Sequence, residues 1–484
     1  MGLPFFTPME TLMTRLRTVA LTTLLMLAIP TFAQAQEVKD VNLKDIIKTQ
    51  TLANGLKVIV IEDHAVPLVT VEIAVKNGAF TEPPEFNGLS HLYEHMFFKG
   101  NAVIPTQEAY LKKIRELGIV FNGTTSTERV NYYFTLPSKN AAAGLKFMKD
   151  AIITPKFDEQ EFKKEIQVVI GEVDRNESNP YYWLGQAMDE LVWHKYPTRK
   201  DSLGDRKTIT TATVAKMKTM QQRYYVPNNS ALLIAGDIKP EDAFKMAQQM
   251  FKDWKPSAKS PHVTYPVPAH PDIKATKSVV VTKPVRSPYI QMTWHGPSVS
   301  KDPKATFAAD VLSYILAQPT SKFHKALVDS GITLGAGLGY YTQNFKGPIN
   351  ASAQVLPGKE REAIAGLLAE LNKLTDPAYF SDEQLNAAKK ILAVQAIYDR
   401  EKTSNMVHTA SFWWATAGLD YYINYVQNLQ AVTREDIAAY VKNYILGKKV
   451  VLGVLTSAEN AKAQNLTPAA LDTFLTKQLK AASK

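Results

Sequence analysis

Two histidines and a glutamate in the run His91-Leu92-Tyr93-Glu94-His95 are of the types that hold and use a metal ion. Residues four apart on a helix share a face, so both imidazoles can reach one ion, and Glu94, three residues after His91, stands beside them. Neutral imidazoles suit Zn²⁺, an open coordination position admits water, and a carboxylate that does not bind the metal can take that water's proton. This is the chemistry of metal-assisted hydrolysis. The alternative is a helix whose two histidines are satisfied by hydrogen bonds and hold no metal; a third ligand decides between the two.

A helix must carry the run, and the sequence predicts one. Leu89, Leu92, Tyr93, Met96 and Phe97 follow an i, i+3, i+4, i+7, i+8 stripe that lies opposite His91, Glu94, His95 and Phe98. Asn87-Gly88 can start that helix and Gly100 can stop it. A second long helix is predicted over 158–176, where Phe162, Ile166, Val169, Ile170 and Val173 make the apolar stripe and Glu165 and Glu172 stand seven apart on one face. Strands are predicted at 56–61, 68–75, 130–136 and 231–235, and helices at 108–117 and 141–152.

The pattern then recurs in the second half of the chain, at a constant offset. Tyr225-Val226-Pro227 and the strand after it pair with Tyr444-Ile445-Leu446 and the strand after that. Between the copies, Pro256, Pro261, Pro266, Pro268 and Pro271 mark a linker. The domain reading is a signal peptide at 1–35, an N-terminal metal-bearing domain at 36–254, a Pro-rich linker at 255–275 and a homologous C-terminal domain at 276–484. The offset from Tyr225 to Tyr444 carries the opening run onto Asp310-Val311-Leu312-Ser313-Tyr314, which has no imidazole, so only the first half can hold this metal.

Composition bounds the rest. The chain has 484 residues, 45% hydrophobic and 21% charged, which suffices for two ordinary globular domains. There is no cysteine, so neither a disulfide framework nor a lipoprotein anchor is available, and a metal must rest on histidine and carboxylates. The net charge of +10 is scattered, with no basic tract of the kind nucleic acid recruits. Arg15 and Arg17, the apolar run 19–29 and Ala33-Gln34-Ala35 together read as a secretory signal cut after Ala35, with translation starting at Met13 and a periplasmic destination. No run is long enough for a membrane span. The remaining histidines are dispersed and read as structural or surface. Phe412-Trp413-Trp414 with Tyr421-Tyr422 reads as core or subunit contact, a peptide platform being the alternative.

The run 87–100, Asn-Gly-Leu-Ser-His-Leu-Tyr-Glu-His-Met-Phe-Phe-Lys-Gly, resembles nearly throughout the signature of the pitrilysin-type inverzincin (HxxEH) metallopeptidases, among them the zinc-bearing beta subunit of mitochondrial processing peptidase. The resemblance implies an α+β fold of two homologous halves, each a mixed β-sheet packed with helices, in a clam-shell arrangement around a chamber. It implies one Zn²⁺ per chain held by His91, His95 and Glu172, the glutamate that stands at the family's distance beyond the second histidine, with Glu94 as base and Glu165 supporting catalysis. From the residues alone, Glu172 could equally be an exposed helical glutamate, and Glu165 a partner orienting a ligand or a solvated charge. Asn122-Gly123-Thr124-Thr125-Ser126 is similar to the family's Asn-Ala-x-Thr-Ser segment, which binds a peptide substrate as an added strand; glycine replaces alanine at Gly123. The family's Arg/Tyr pair is absent, with Val328 and Leu334 in those places. That implies a paralogous partner subunit bearing the pair. The alternative is a non-catalytic peptide-binding or assembly subunit.

Overall fold

The computed structural model describes residues 42–482. The expected signal segment, its cleavage after Ala35 and the start at Met13 lie outside them. The chain divides into a unit ending at Asn42, which is its only described residue, and one compact unit from Leu43 onward.

Two mixed sheets organise that unit. The first contains β1 (Ile47–Thr51), β2 (Lys57–Glu62), β3 (Leu68–Val75), β4 (Val120–Thr125), β5 (Val130–Pro137) and β6 (Ser230–Gly236), in the order β1-β2-β6-β3-β5-β4. The second contains β7 (Lys277–Thr282), β8 (Tyr289–His295), β9 (Gly335–Tyr340), β10 (Pro348–Gln354) and β11 (Val451–Thr456), in the order β7-β11-β8-β10-β9. Strand for strand, β2-β6-β3-β5-β4 repeats as β7-β11-β8-β10-β9. Each sheet has one parallel pair, β2 with β6 and β7 with β11, and antiparallel pairs elsewhere. The register repeats too: Lys57 pairs with Ala231 and Lys277 with Val451, so one and the same offset relates both partners to their counterparts. β1 has no counterpart in the second sheet.

Every residue of β6 and β11 is buried, as expected of central strands covered on both faces. One face of each sheet packs on helices of its own half, building separate cores around Tyr93, Phe97 and Phe134 and around Trp294, Phe323 and Leu367. The other face is covered by a helix from the opposite half. Met406, Val407 and Ala410, on the helix Thr403–Thr416, pack on Ile59, Ile61 and Leu233 of the first sheet. Reciprocally, Leu184, Met188 and Val192, on the helix Pro180–Val192, pack on Val451 and Leu455 of the second. The two α+β halves therefore face each other clam-shell fashion and are interlocked. Gly453 permits the close approach: a Cβ there would lie 2.4 Å from Met188 Sδ and 2.8 Å from Leu184 Cδ1. No helix among the described residues is long and apolar enough to cross a membrane.

Candidate metal centre

The run that opened the sequence lies on the helix Leu89–Phe97. Its apolar stripe is fully buried: Tyr93 stacks on Tyr225 with ring centroids 3.9 Å apart, and Phe97 on Tyr132 at 3.8 Å. The opposite face carries His91, Glu94 and His95, all partly exposed. Gly88 precedes this helix at φ 83° without a side-chain cap of its own. Glu82 supplies the cap from a distance, accepting hydrogen bonds from the Gly88 N–H at 2.8 Å and the Ser90 N–H at 2.6 Å. Burial pushes the Glu82 carboxyl up to about 7 against these two donors.

The second long helix, Glu159–Glu177, begins at Asp158, whose side chain accepts from the Gln160 and Glu161 N–H groups. Phe162, Ile166, Val169 and Val173 seat it on the core, and Glu165 lies among them, 5% exposed. Two turns further along, Glu172 reaches the motif helix. A ligand atom from each of His91, His95 and Glu172 lies within 4.8 Å of the others. The two Nε2 atoms are 3.2 Å apart, and Glu172 approaches His91 Nε2 at 3.3 Å and His95 Nε2 at 3.9 Å.

The surroundings differ for the two imidazoles. His95 Nδ1 is 2.8 Å from Glu165 Oε1, and Lys99 Nζ is 2.6 Å from Glu165 Oε2. Burial opposes charge on Glu165, but the hydrogen bonds from His95 and Lys99 hold its carboxyl below the usual range. Glu172 is held low chiefly by its hydrogen bond to His91. Burial works against a proton on His91, yet Glu172 and Glu94 outweigh it and raise the ring above its ordinary value. The Leu203 backbone adds to that effect, although the buried His91 Nδ1 has no hydrogen-bond partner of ordinary geometry.

Asn122, Gly123 and Thr124 lie on β4, at the open edge of the first sheet. Gly123 backs onto Glu94: an added Cβ would fall 2.8 Å from Glu94 Cγ and 3.0 Å from Oε1. The glycine that departs from the family's alanine thus makes room for the carboxylate in its present position. Thr125, part of the segment expected to bind substrate but given no role toward the metal centre, donates to Glu94 Oε2 at 2.6 Å. Lys99 and Glu82 were also missed; Lys99 stands four residues after His95, a spacing that could have drawn attention to it, whereas nothing local marks Glu82. Val328 sits in the wide turn Lys325–Asp329, and Leu334 is 51% exposed.

The other aromatic and histidine residues take structural places. Trp413 packs on Tyr421 at 4.5 Å, and Trp414 joins the core between the halves. His64 is exposed between Glu62 and Asp237, His408 meets the buried Glu72, and His295 stacks on Trp193 at 4.5 Å.

Residues 57–205 match the family model described as insulinase (peptidase family M16), and residues 211–392 match the one described as peptidase M16 inactive domain. An uncharacterized zinc protease of Rickettsia felis is 29% identical over 218 residues, covering 45% of this chain and 53% of that protein. The chain spans about half the length of the curated relatives it matches. Among solved structures, a protease from Helicobacter pylori superposes with a TM-score of 0.76 at 21% identity, covering 84% of this chain and 99% of that one. The periplasmic protease PqqL from Escherichia coli gives 0.73 at 17% identity, covering 90% of this chain and 50% of that one.

Proposed function

The chain belongs to peptidase family M16, and from that premise we propose that it is a zinc metalloendopeptidase subunit of the bacterial periplasm that cleaves extended peptides or unfolded segments. The convergence of His91, His95 and Glu172, with Glu94 beside them, carries the reading. Ligand atoms about 2.0–2.2 Å from a tetrahedral ion lie about 3.3–3.6 Å from one another. The 3.2 Å between the two Nε2 atoms and the 3.3 Å from His91 Nε2 to Glu172 Oε2 lie at the short end of that geometry, and His95 Nε2 meets the other oxygen, Oε1, at 3.9 Å, so a turn of the Glu172 carboxylate completes the set. His95 already uses Nδ1 on Glu165, so Nε2 is its free lone pair.

Zinc held there supplies a Lewis acid that makes a water nucleophilic near neutral pH. Glu94 takes the proton of the attacking water and returns it to the departing amine, its carboxylate aimed by Thr125. Glu165, expected to support catalysis, touches His95 and acts through it. The peptide joins the edge of β4 along Asn122, Gly123 and Thr124, where every second residue turns its backbone N–H and C=O outward to an added strand.

Val328 and Leu334 can donate no side-chain hydrogen bond to a developing oxyanion, a contribution of several kcal/mol in such sites. A paralogous partner subunit carrying the Arg/Tyr pair is proposed to supply it. The same two aliphatic residues favour the second reading, a non-catalytic peptide-binding or assembly subunit. One assay separates them: peptide cleavage and zinc content of the chain alone, of the chain with its co-expressed paralogue, and of that pair carrying Glu94→Gln. The account predicts stoichiometric zinc throughout, weak cleavage alone, full cleavage by the pair and none with Glu94→Gln. Zinc-free protein that binds peptide without cleaving it supports the second reading, and full activity of the isolated chain refutes the need for a partner.

A further inference from the structure

Glu165 is a nearly enclosed carboxylate with one donor on each oxygen. His95 Nδ1 lies 2.8 Å from Oε1 and Lys99 Nζ 2.6 Å from Oε2, and the Glu165 and Lys99 side chains are only 6% and 16% exposed. Lys99 follows His95 by one helical turn, just past the end of the motif helix, where its N–H still bonds the Met96 carbonyl at 3.1 Å. The opposite face of the motif helix is locked by Tyr93 and Phe97 in the core. The backbone that presents Lys99 is therefore rigid, and the ammonium has little room to seek water.

We propose that Lys99 is a positioning residue for the metal centre. By holding Oε2, it fixes the Glu165 carboxylate with Oε1 toward His95 Nδ1, so that His95 keeps its proton on Nδ1 and turns the Nε2 lone pair toward His91 Nε2 and Glu172.

The physical need is specific. A carboxylate has two equivalent oxygens and a soft terminal torsion, so a single donor leaves both its rotation and its second oxygen unsettled. In a buried place, an oxygen without a partner carries a desolvation penalty that the carboxylate relieves by turning, and turning takes Oε1 away from His95. Lys99 also places a cation beside the Glu165 carboxylate, on the side away from His95. His91 makes the contrast: its Nδ1 has no such partner, and its orientation rests on packing and on Glu172.

The inference rests on the zinc reading above, and its test is arranged so that the two can fail separately. Lys99→Met, Lys99→Arg, Glu165→Ala and the Lys99→Met/Glu165→Ala double variant are compared with wild type as the full chain. Three readouts are taken: zinc affinity by competition with a chromophoric chelator, the ¹⁵N side-chain signals of His95 with and without zinc, and thermal unfolding of the metal-free protein. Lys99→Met is expected to weaken zinc roughly 10–100-fold, the range found when a group supporting a metal ligand is removed. It is also expected to scramble the His95 tautomer in the metal-free chain and to lower its unfolding temperature, because Glu165 is left a buried carboxylate without its counter-charge, a loss that the double variant, lacking that carboxylate, should largely recover. Lys99→Arg should recover most of both, and on the Glu165→Ala background Lys99→Met should add nothing. Wild-type zinc affinity and His95 signals in Lys99→Met, or a loss that adds in full to that of Glu165→Ala, would overturn the proposal. A wild-type chain that takes up no zinc refutes the functional reading instead, and the His95 signals of the metal-free variants still decide the role of Lys99.

Discussion

At the scale of residues, the candidate centre combines groups whose spacing is set by helical geometry with groups that only the folded chain brings near. His91, Glu94 and His95 were legible because four-residue spacing on one helix fixes their relative positions whatever the rest of the chain does. Glu172 was legible only through the resemblance, since nothing local distinguishes it from other helical glutamates. Thr125 was legible only as part of the substrate-strand segment; its 2.6 Å hydrogen bond to Glu94 was not, because it depends on how β4 crosses the motif helix. Its neighbour Thr124, expected to bind substrate, lies on the same edge strand. The role given to Thr125 has a measurable consequence. Thr125→Val keeps the shape and removes the donor, so zinc binding should persist while kcat/KM of the active assembly falls about tenfold, or ~1.4 kcal/mol in barrier. Unchanged steady-state kinetics would show that Glu94 needs no such guide.

At the scale of elements, β-branched runs and amphipathic stripes announced most strands of the first sheet and the two helices that carry the site, because burial on one or two faces dictates those patterns. β1 escaped notice for the same reason. Its sequence Ile-Lys-Thr-Gln-Thr buries only Ile47, so an edge strand held by pairing to β2 shows no alternation. The start of the motif helix was placed at Asn87-Gly88, but the sequence could not say why glycine is needed. Gly88 has φ 83°, and a Cβ on it would fall 2.6 Å from Gly204 Cα and 2.8 Å from the Leu203 carbonyl. Gly88→Ala therefore meets both a left-handed backbone and fixed main chain. The backbone conformation alone costs about 1–3 kcal/mol, and the displaced loop beside His91 should weaken zinc as well. A melting curve and zinc titration matching wild type would show that the loop yields without strain.

At the scale of the whole molecule, the duplication was visible as a constant offset between like segments of the two halves, but the exchange of helices was not. Periodicity tells which face of the helix Pro180–Val192 is buried; it does not tell which half's sheet buries it. That exchange places neutral histidines at the junction. Trp193 lies between His295, stacked at 4.5 Å, and His270 at 4.8 Å, with Lys200 Nζ 4.3 Å above its ring. Burial first, then Lys200 and other cations, pushes His270 from 6.5 down to about 3. Burial likewise pushes His295 down to about 4, against the Val192 carbonyl that favours its proton. Both groups have folded values below their unfolded ones, so the unfolded chain binds more protons between these limits. Their contribution to stability is complete above pH 6.5 and is lost as pH falls toward 4 and below. Unfolding followed from pH 7 to pH 4 should therefore show an acid-sensitive limb that is shallower in a His270→Phe/His295→Phe variant. A limb unchanged by the double substitution would mean that other groups govern acid unfolding.

The whole account turns on one ion held by two imidazoles and one carboxylate. X-ray absorption at the zinc edge, on the chain loaded with one equivalent and on Glu172→Ala, reads that arrangement directly. The prediction is a single zinc with two histidine ligands, a glutamate oxygen and a solvent position in wild type, with the carboxylate lost and affinity weakened in the variant. A chain that binds no stoichiometric zinc, or whose zinc signal lacks the imidazoles or is untouched by Glu172→Ala, would contradict it.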